Sequence, residues 1–160
     1  MGSFEEIYNT YFRDVYRYVR SLSGSESVAE DVTEETFLRA MLSLGSFRGE
    51  CDIRVWLFRI AKNCWLNEQK KQERLVPDDT IPELSGEDKV DEALADKESA
   101  ITIHRILHGL DEPYKEVFSL RVFGELSFRQ IGEIFGKSEH WACVTYHRAK
   151  EKIRKELGEA

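Results

Sequence analysis

No run of about 18 apolar residues, the length a membrane-crossing helix needs, occurs in the chain. The opening MGSFEEIYNTYF has acids where a secretory signal peptide has a basic segment followed by an apolar one. Glu6 also stands where a myristoylation signal needs Ser or Thr. These absences predict a cytoplasmic protein without membrane insertion. Cysteine is sparse: Cys51, Cys64 and Cys143 are odd in number and far apart, which points away from a disulfide framework and from a CxxC zinc site. A Gly-rich phosphate loop is missing, and no Ser, His and Asp arrangement suggests a hydrolase. His104 and His108 have the i, i+4 spacing of metal ligands, but HRILH lacks the Glu of HExxH and a third ligand. The pair therefore reads as two partly exposed helix histidines, and the chain as a non-enzyme without metal or cofactor.

Proline is equally rare and unevenly placed. Two of the three prolines fall in PDDTIPELSGEDKVDEALADKE, a stretch with no aromatic residue and repeated acids. Low hydrophobicity with like charge cannot offset ordering entropy, so residues 76–97 read as an acidic flexible linker, with Val90 to Lys97 able to join the helix that follows. The linker also explains the net charge of −7, which by itself argues against a nucleic-acid partner. Residues 1–77 carry −1, residues 78–98 carry −7 and residues 99–160 carry +1. Cations cluster at Arg54 to Arg74 and again at Lys137 to Lys155.

What remains, 41% hydrophobic over the 160 residues, suffices for two small all-α domains, 1–75 and 98–160. Phe4, Ile7, Tyr8, Tyr11, Phe12, Val15, Tyr16, Val19 and Leu22 trace one face of a 3.6-residue period. A second helix over about Ser27 to Leu44 buries Val32, Phe37, Ala40 and Met41 and groups Asp31, Glu34, Glu35 and Leu38 on another face. After GSFRGECD a third helix contains RVWLFRIAKNCWLNEQKK. Trp56, Leu57, Ile60 and Cys64 form its core face; Arg54, Phe58, Lys62 and Trp65 gather elsewhere, with Asn63 at the border. That second group fits a surface for bases and phosphates, or an ordinary amphipathic helix.

In the C-terminal half Ala100, Ile103, Leu107 and Leu110 form a stripe. LDEP follows, its proline suited to a first helical turn. Ser127 with Gln130 makes a capping box for a short helix through Ile131 and Ile134. Gly136 ends that helix, and Ser138 caps a longer one with Ala142, Tyr146, Ala149, Ile153 and Leu157 inward. Short helix, Gly-containing turn and basic second helix is the pattern of a helix-turn-helix DNA reader, or of an αα-hairpin in a bundle.

Taken together, AEDVTEETFLRAMLSLGSFRGECDIRVWLFRIAKN and LDEPYKEVFSLRVFGELSFRQIGEIFGKSE resemble regions 2 and 4 of the extracytoplasmic-function (ECF) sigma factors of bacterial RNA polymerase. The resemblance implies a sigma region 2 bundle and a sigma region 4 helix-turn-helix. Its implied partners are the polymerase core (β′ clamp helices and β flap), promoter DNA and an anti-sigma factor. Docking on the clamp helices falls to Asp31, Glu34, Glu35, Phe37, Leu38 and Arg39, with Glu34 where the family usually has Gln. Binding and melting of the −10 element fall to Phe47, Arg48, Gly49, Arg54, Phe58, Lys62, Asn63 and Asn67. An Asn amide suits a base edge, aromatic rings stack on bases and cations hold the backbone. Contacts to the −35 element fall to Ser138, His140, Cys143, Val144, His147, Arg148 and Lys150, with Cys143 where the family commonly has a cation. The competing reading is an autonomous helix-turn-helix regulator, which leaves the FRGE loop, Asn63 and the acidic face without a role.

Overall fold

The computed structural model describes residues 3–75 and 97–158, so the linker expectation, apart from Lys97, lies outside the described residues. Those residues form seven α-helices and no strand. They are α1 (Phe4–Ser23), α2 (Glu26–Ser43), α3 (Ile53–Leu75), α4 (Lys97–His108), α5 (Tyr114–Val122), α6 (Phe128–Phe135) and α7 (Glu139–Glu156). A short 3₁₀ turn, Leu44–Ser46, leads from α2 into the loop before α3.

Local chemistry sets the helix ends. Ser3 and Glu6 exchange hydrogen bonds as a capping box on α1, satisfying two N–H groups that the first turn leaves without partners. Gly24 in the left-handed region closes α1, and the Ser25 hydroxyl accepts from the Val28 N–H to start α2. The apolar stripe of α1 then meets α2 and α3. Val15, Tyr18, Val19 and Leu22 have no exposed surface, and Phe37 from α2 packs among Phe4, Tyr8 and Phe12 at 5.1–6.4 Å between ring centroids. Met41, expected inside, is 47% exposed: the core face of α2 runs through Val32, Phe37 and Ala40, and Met41 falls beside it.

The largest departure from the sequence reading concerns α3. Its expected core face is buried at Leu57 and Cys64, but so are Phe58 and Trp65. The reason is that α5 and α6 cover the second side, so the two halves share one hydrophobic core running from Ile7 to Ala142. Phe58 sits between Tyr18, at 5.5 Å, and Gly124. A Cβ at position 124 would come within 2.9 Å of the Phe58 ring, so this approach needs glycine. Burying an aromatic or aliphatic side chain of this size contributes about 1.5–3 kcal/mol, which places a sizeable part of the stability at the seam between the halves.

One cost is visible at that seam. The Tyr18 hydroxyl is buried with no hydrogen-bond partner among the described residues, and burial, then the charges of Glu116 and Glu112, pushes its pKa well above the ordinary tyrosine value. An unsatisfied buried hydroxyl costs about 1–3 kcal/mol. Replacing Tyr18→Phe is therefore expected to raise stability by about 1 kcal/mol in urea unfolding; a loss of similar size would mean that the hydroxyl is bonded.

Candidate nucleic-acid interface

The helix-turn-helix is built from two caps and a close approach. Ser127 accepts from the Gln130 N–H while the Gln130 side chain accepts from the Ser127 N–H, at 3.1 and 2.8 Å. Gly136 ends α6 in the left-handed region. The Ser138 hydroxyl accepts from the Trp141 N–H at 2.9 Å to start α7. A Cβ on Gly132 would lie 2.7 Å from the Ser138 carbonyl oxygen, so glycine lets the turn close onto α6. Trp141 packs on Phe135 at 5.2 Å and so serves the motif's own packing.

The outward side of α7 is open. Ser138, His140, His147 and Arg148 are exposed, and Cys143, Val144 and Lys150 are half-buried. Ala142, Thr145, Ala149 and Ile153 face inward. The N-terminal turns of α7 thus offer polar and cationic side chains on a convex rod, the shape that enters a major groove.

A second candidate surface surrounds the loop before α3. Phe47 is half-buried on Trp56, with ring centroids 4.8 Å apart, and Arg48 and Gly49 are exposed. Phe47, Gly49 and Ile53 line a cavity of about 430 Å³ whose other wall is Glu6, Ile7, Thr10 and Tyr11 of α1. Asn63 and Asn67 are exposed on α3. They are thus free to present amide groups to solvent, whereas three other residues predicted for this surface are engaged. Phe58 is wholly buried.

Arg54 donates to the carbonyl oxygens of Gly124 and Glu125 and pairs with Asp14 at 3.6 Å. Burial nevertheless raises the Asp14 pKa, with the Arg54 charge acting against it. Lys62 binds the Glu116 carboxylate at 2.8 Å and lies 4.5 Å from the centre of the Phe135 ring. Sequence reasoning missed Arg59, which donates to the Glu133 carbonyl at 2.6 Å. It also missed Glu116, a buried acid whose apolar neighbours in KEVFSL were the available signal.

On α2, Asp31, Glu34, Glu35, Leu38 and Arg39 are exposed, and Arg39 pairs with Glu35 at 2.8 Å. Phe37 is not on this face: it is 2% exposed and belongs to the core. Leu38 is 52% exposed and Leu42 75%. Leu42 extends the acidic and apolar stripe by one turn, a continuation readable in the i, i+4 spacing from Leu38. Among the described residues no three His, Cys, Asp or Glu side chains are grouped to hold a metal, and no helix is long and apolar enough to cross a membrane.

Comparison with known proteins meets this geometry at both ends. Sigma-70 region 2 matches residues 7–75 and sigma-70 region 4 matches residues 100–153. RNA polymerase sigma-H factor of Pseudomonas aeruginosa is 31% identical over 140 residues, covering 81% of this chain and 72% of the relative. RNA polymerase sigma factor YlaC of Bacillus subtilis is 29% identical over 159 residues, covering 97% and 92%. In fold, the chain superimposes with a TM-score of 0.77 and 17% identity on the sigma factor RpoE of Bartonella quintana, solved with the anti-sigma factor NepR, covering 97% and 96%.

The close approach at Gly132 yields a direct expectation. Gly132→Ala must push the turn away from α6, at a cost of about 1–3 kcal/mol. Thermal unfolding should show that loss together with weaker duplex binding, and unchanged stability would show that the turn has slack.

Proposed function

The chain belongs to the extracytoplasmic-function sigma factors of bacterial RNA polymerase, and we propose that its described surfaces divide the work of promoter-specific initiation among α2, the loop before α3, and α7. The observation that carries this reading is the pairing, in one chain and in family order, of a free helix-turn-helix face with an aromatic loop over a cavity next to exposed Asn63. Sigma factors act by positioning polymerase and DNA, and no catalytic step is placed on this chain.

Docking on the core polymerase falls to α2. Asp31, Glu34 and Glu35 suit a basic helical partner such as the β′ clamp helices, and Leu38 with Leu42 supplies the apolar anchor. Phe37 holds α2 in place from below. The second polymerase contact, on the β flap, belongs to the C-terminal half.

At the −10 element, Phe47 offers a stacking ring, Arg48 a cation for the backbone, and Asn63 and Asn67 amides for a base edge. Capturing an unstacked base in the loop offsets the few kcal/mol that unstacking costs, which couples recognition to strand opening. Arg54 and Lys62 join this surface once they leave their partners in the C-terminal half. At the −35 element, His140, Val144 and Cys143 stand toward bases, and Ser138, His147, Arg148 and Lys150 toward phosphates. Cys143 leaves one cation fewer than the family commonly has, so the −35 contact should depend less on salt by about one charge.

An anti-sigma factor is the proposed regulatory partner, and the cytoplasm, where polymerase works, the proposed location. An autonomous helix-turn-helix regulator is not favoured, since it leaves the N-terminal half without a task.

Reconstituted transcription with core polymerase on a genomic template library tests the reading: new, discrete start sites are expected, and none would refute it. Two substitutions divide the surfaces. Leu42→Glu should lower polymerase affinity by at least tenfold in a pull-down titration while the chain stays folded. Asn63→Ala should leave polymerase binding intact and impair opening, read by permanganate reactivity of promoter thymines; an equal loss of polymerase binding would make Asn63 structural.

A further inference from the structure

The cavity beside the loop before α3 has a wall to which the −10 reading gives no task. That reading draws on the loop and on α3, whereas the far side of the cavity of about 430 Å³ is made by Glu6, Ile7, Thr10 and Tyr11 of α1. Their spacing, i, i+1, i+4 and i+5, sets side chains of successive turns on one helix face. Ile7 is buried, and Tyr11 is half-buried with the Arg54 guanidinium 5.6 Å from its ring centre. Opposite stand the half-buried Phe47 and Ile53, while Gly49 contributes backbone alone, in the left-handed region at φ 77°. A largely apolar and aromatic lining of this kind suits the flat faces of an unstacked base.

Two polar side chains stand exposed on the α1 wall, Glu6 and Thr10. The Ser3 N–H donates to Glu6 Oε1 at 3.1 Å, which fixes the carboxylate on the first turn of α1 and takes one of its roughly four acceptor positions. A carboxylate repels phosphate, so it adds nothing to general attraction for nucleic acid. Toward a base edge it is selective, because it can only accept, whereas the Thr10 hydroxyl one turn on can donate or accept. Cytosine, adenine and guanine each carry an exocyclic amine that a carboxylate can take. Thymine presents carbonyl oxygens instead, and an acceptor facing an acceptor leaves both without the hydrogen bonds that water gave them.

We propose that Glu6 and Thr10 of α1 are the specificity side of this cavity: they admit a base bearing an exocyclic amine and exclude thymine at one position of the −10 element. The proposal rests on the −10 reading of the loop given above. Phe47 and Arg48 hold a base and its backbone whatever the sequence, and α1 decides which base stays. The hydrogen bond that caps α1 also presets the reading carboxylate before DNA arrives, so little side-chain ordering is left for the binding step.

Selection by the polymerase holoenzyme tests this. Core polymerase carrying the full-length chain is offered single-stranded 12-mers randomised at every position, and the bound strands are sequenced. At one position of the recovered motif the unmodified chain should enrich amine-bearing bases over thymine at least tenfold. Glu6→Gln keeps the cap, because a capping box takes Glu or Gln, but its amide both donates and accepts. That variant should lower the preference below threefold at the same position and leave the other positions of the motif as they were. Thr10→Val, which removes only the hydroxyl's hydrogen bonding, should give a smaller loss there.

Thymine enriched at that position, or a preference that Glu6→Gln leaves at full strength, would overturn the proposal and leave the −10 reading intact. Phe47→Ala separates the two: it should lower recovery of all strands at least tenfold, and undiminished recovery would overturn the −10 reading of the loop, and the proposal with it.

Discussion

An ion pair whose acid is almost wholly withdrawn from water joins the two halves, and the rest of the arrangement depends on it. Removing charges from water is costly, and such a pair is stable only when its geometry and surroundings restore what hydration gave. Here Glu116 keeps Lys62 at 2.8 Å, and the Phe135 ring supplies a second attractive surface for the same ammonium. Losing one partner of a buried pair costs about 3–5 kcal/mol, more than the pair contributes against an apolar replacement. Its effect is therefore to specify which surfaces meet. The apolar contacts around it, Phe58 on Gly124 above all, provide most of the attraction; the pair fixes their register.

Much of the fold was legible in the sequence because capping and periodicity are local. Ser3 with Glu6 and Ser127 with Gln130 form the hydrogen bonds that their spacing implies, and Ser138 caps α7 as expected. Of the inward stripe expected on α7, Ala142, Ala149 and Ile153 are buried, Tyr146 is half-buried and Leu157 is 37% exposed. Helical spacing settles which residues share a face but not how wide the buried sector is. That is why Met41 was expected in the core with Phe37; Phe37 is there, and its place among the docking residues came from the resemblance and not from spacing.

α3 shows where local reading stops. Its sequence has two apolar faces, one continuous with the core of α1 and α2 and the other mixing aromatics with cations. Nothing within Arg54 to Lys71 distinguishes a face meant for DNA from one meant for another helix, since both want aromatic area and cations. The deciding partners, Glu116, Gly124 and Glu133, lie more than fifty positions away in sequence. The Asn63 and Phe47 loop assignments rest on family resemblance, and the described geometry keeps those residues at the surface.

Arg54 and Lys62, which the proposed −10 role assigns to DNA, are held here by Gly124, Glu125 and Glu116, so on that proposal promoter binding has to displace these contacts. The exposed α2 face proposed for polymerase docking takes no part in those contacts. Single-molecule energy transfer tests this displacement most directly. Fluorophores would be placed at Ser27 and Glu156, with the three native cysteines replaced by serine, and transfer compared before and after adding core polymerase and promoter DNA. The account predicts one high-transfer population in the free chain and a shift to low transfer in the promoter complex. High transfer that persists in the complex would show that α3 binds DNA without releasing the C-terminal half, and would contradict it.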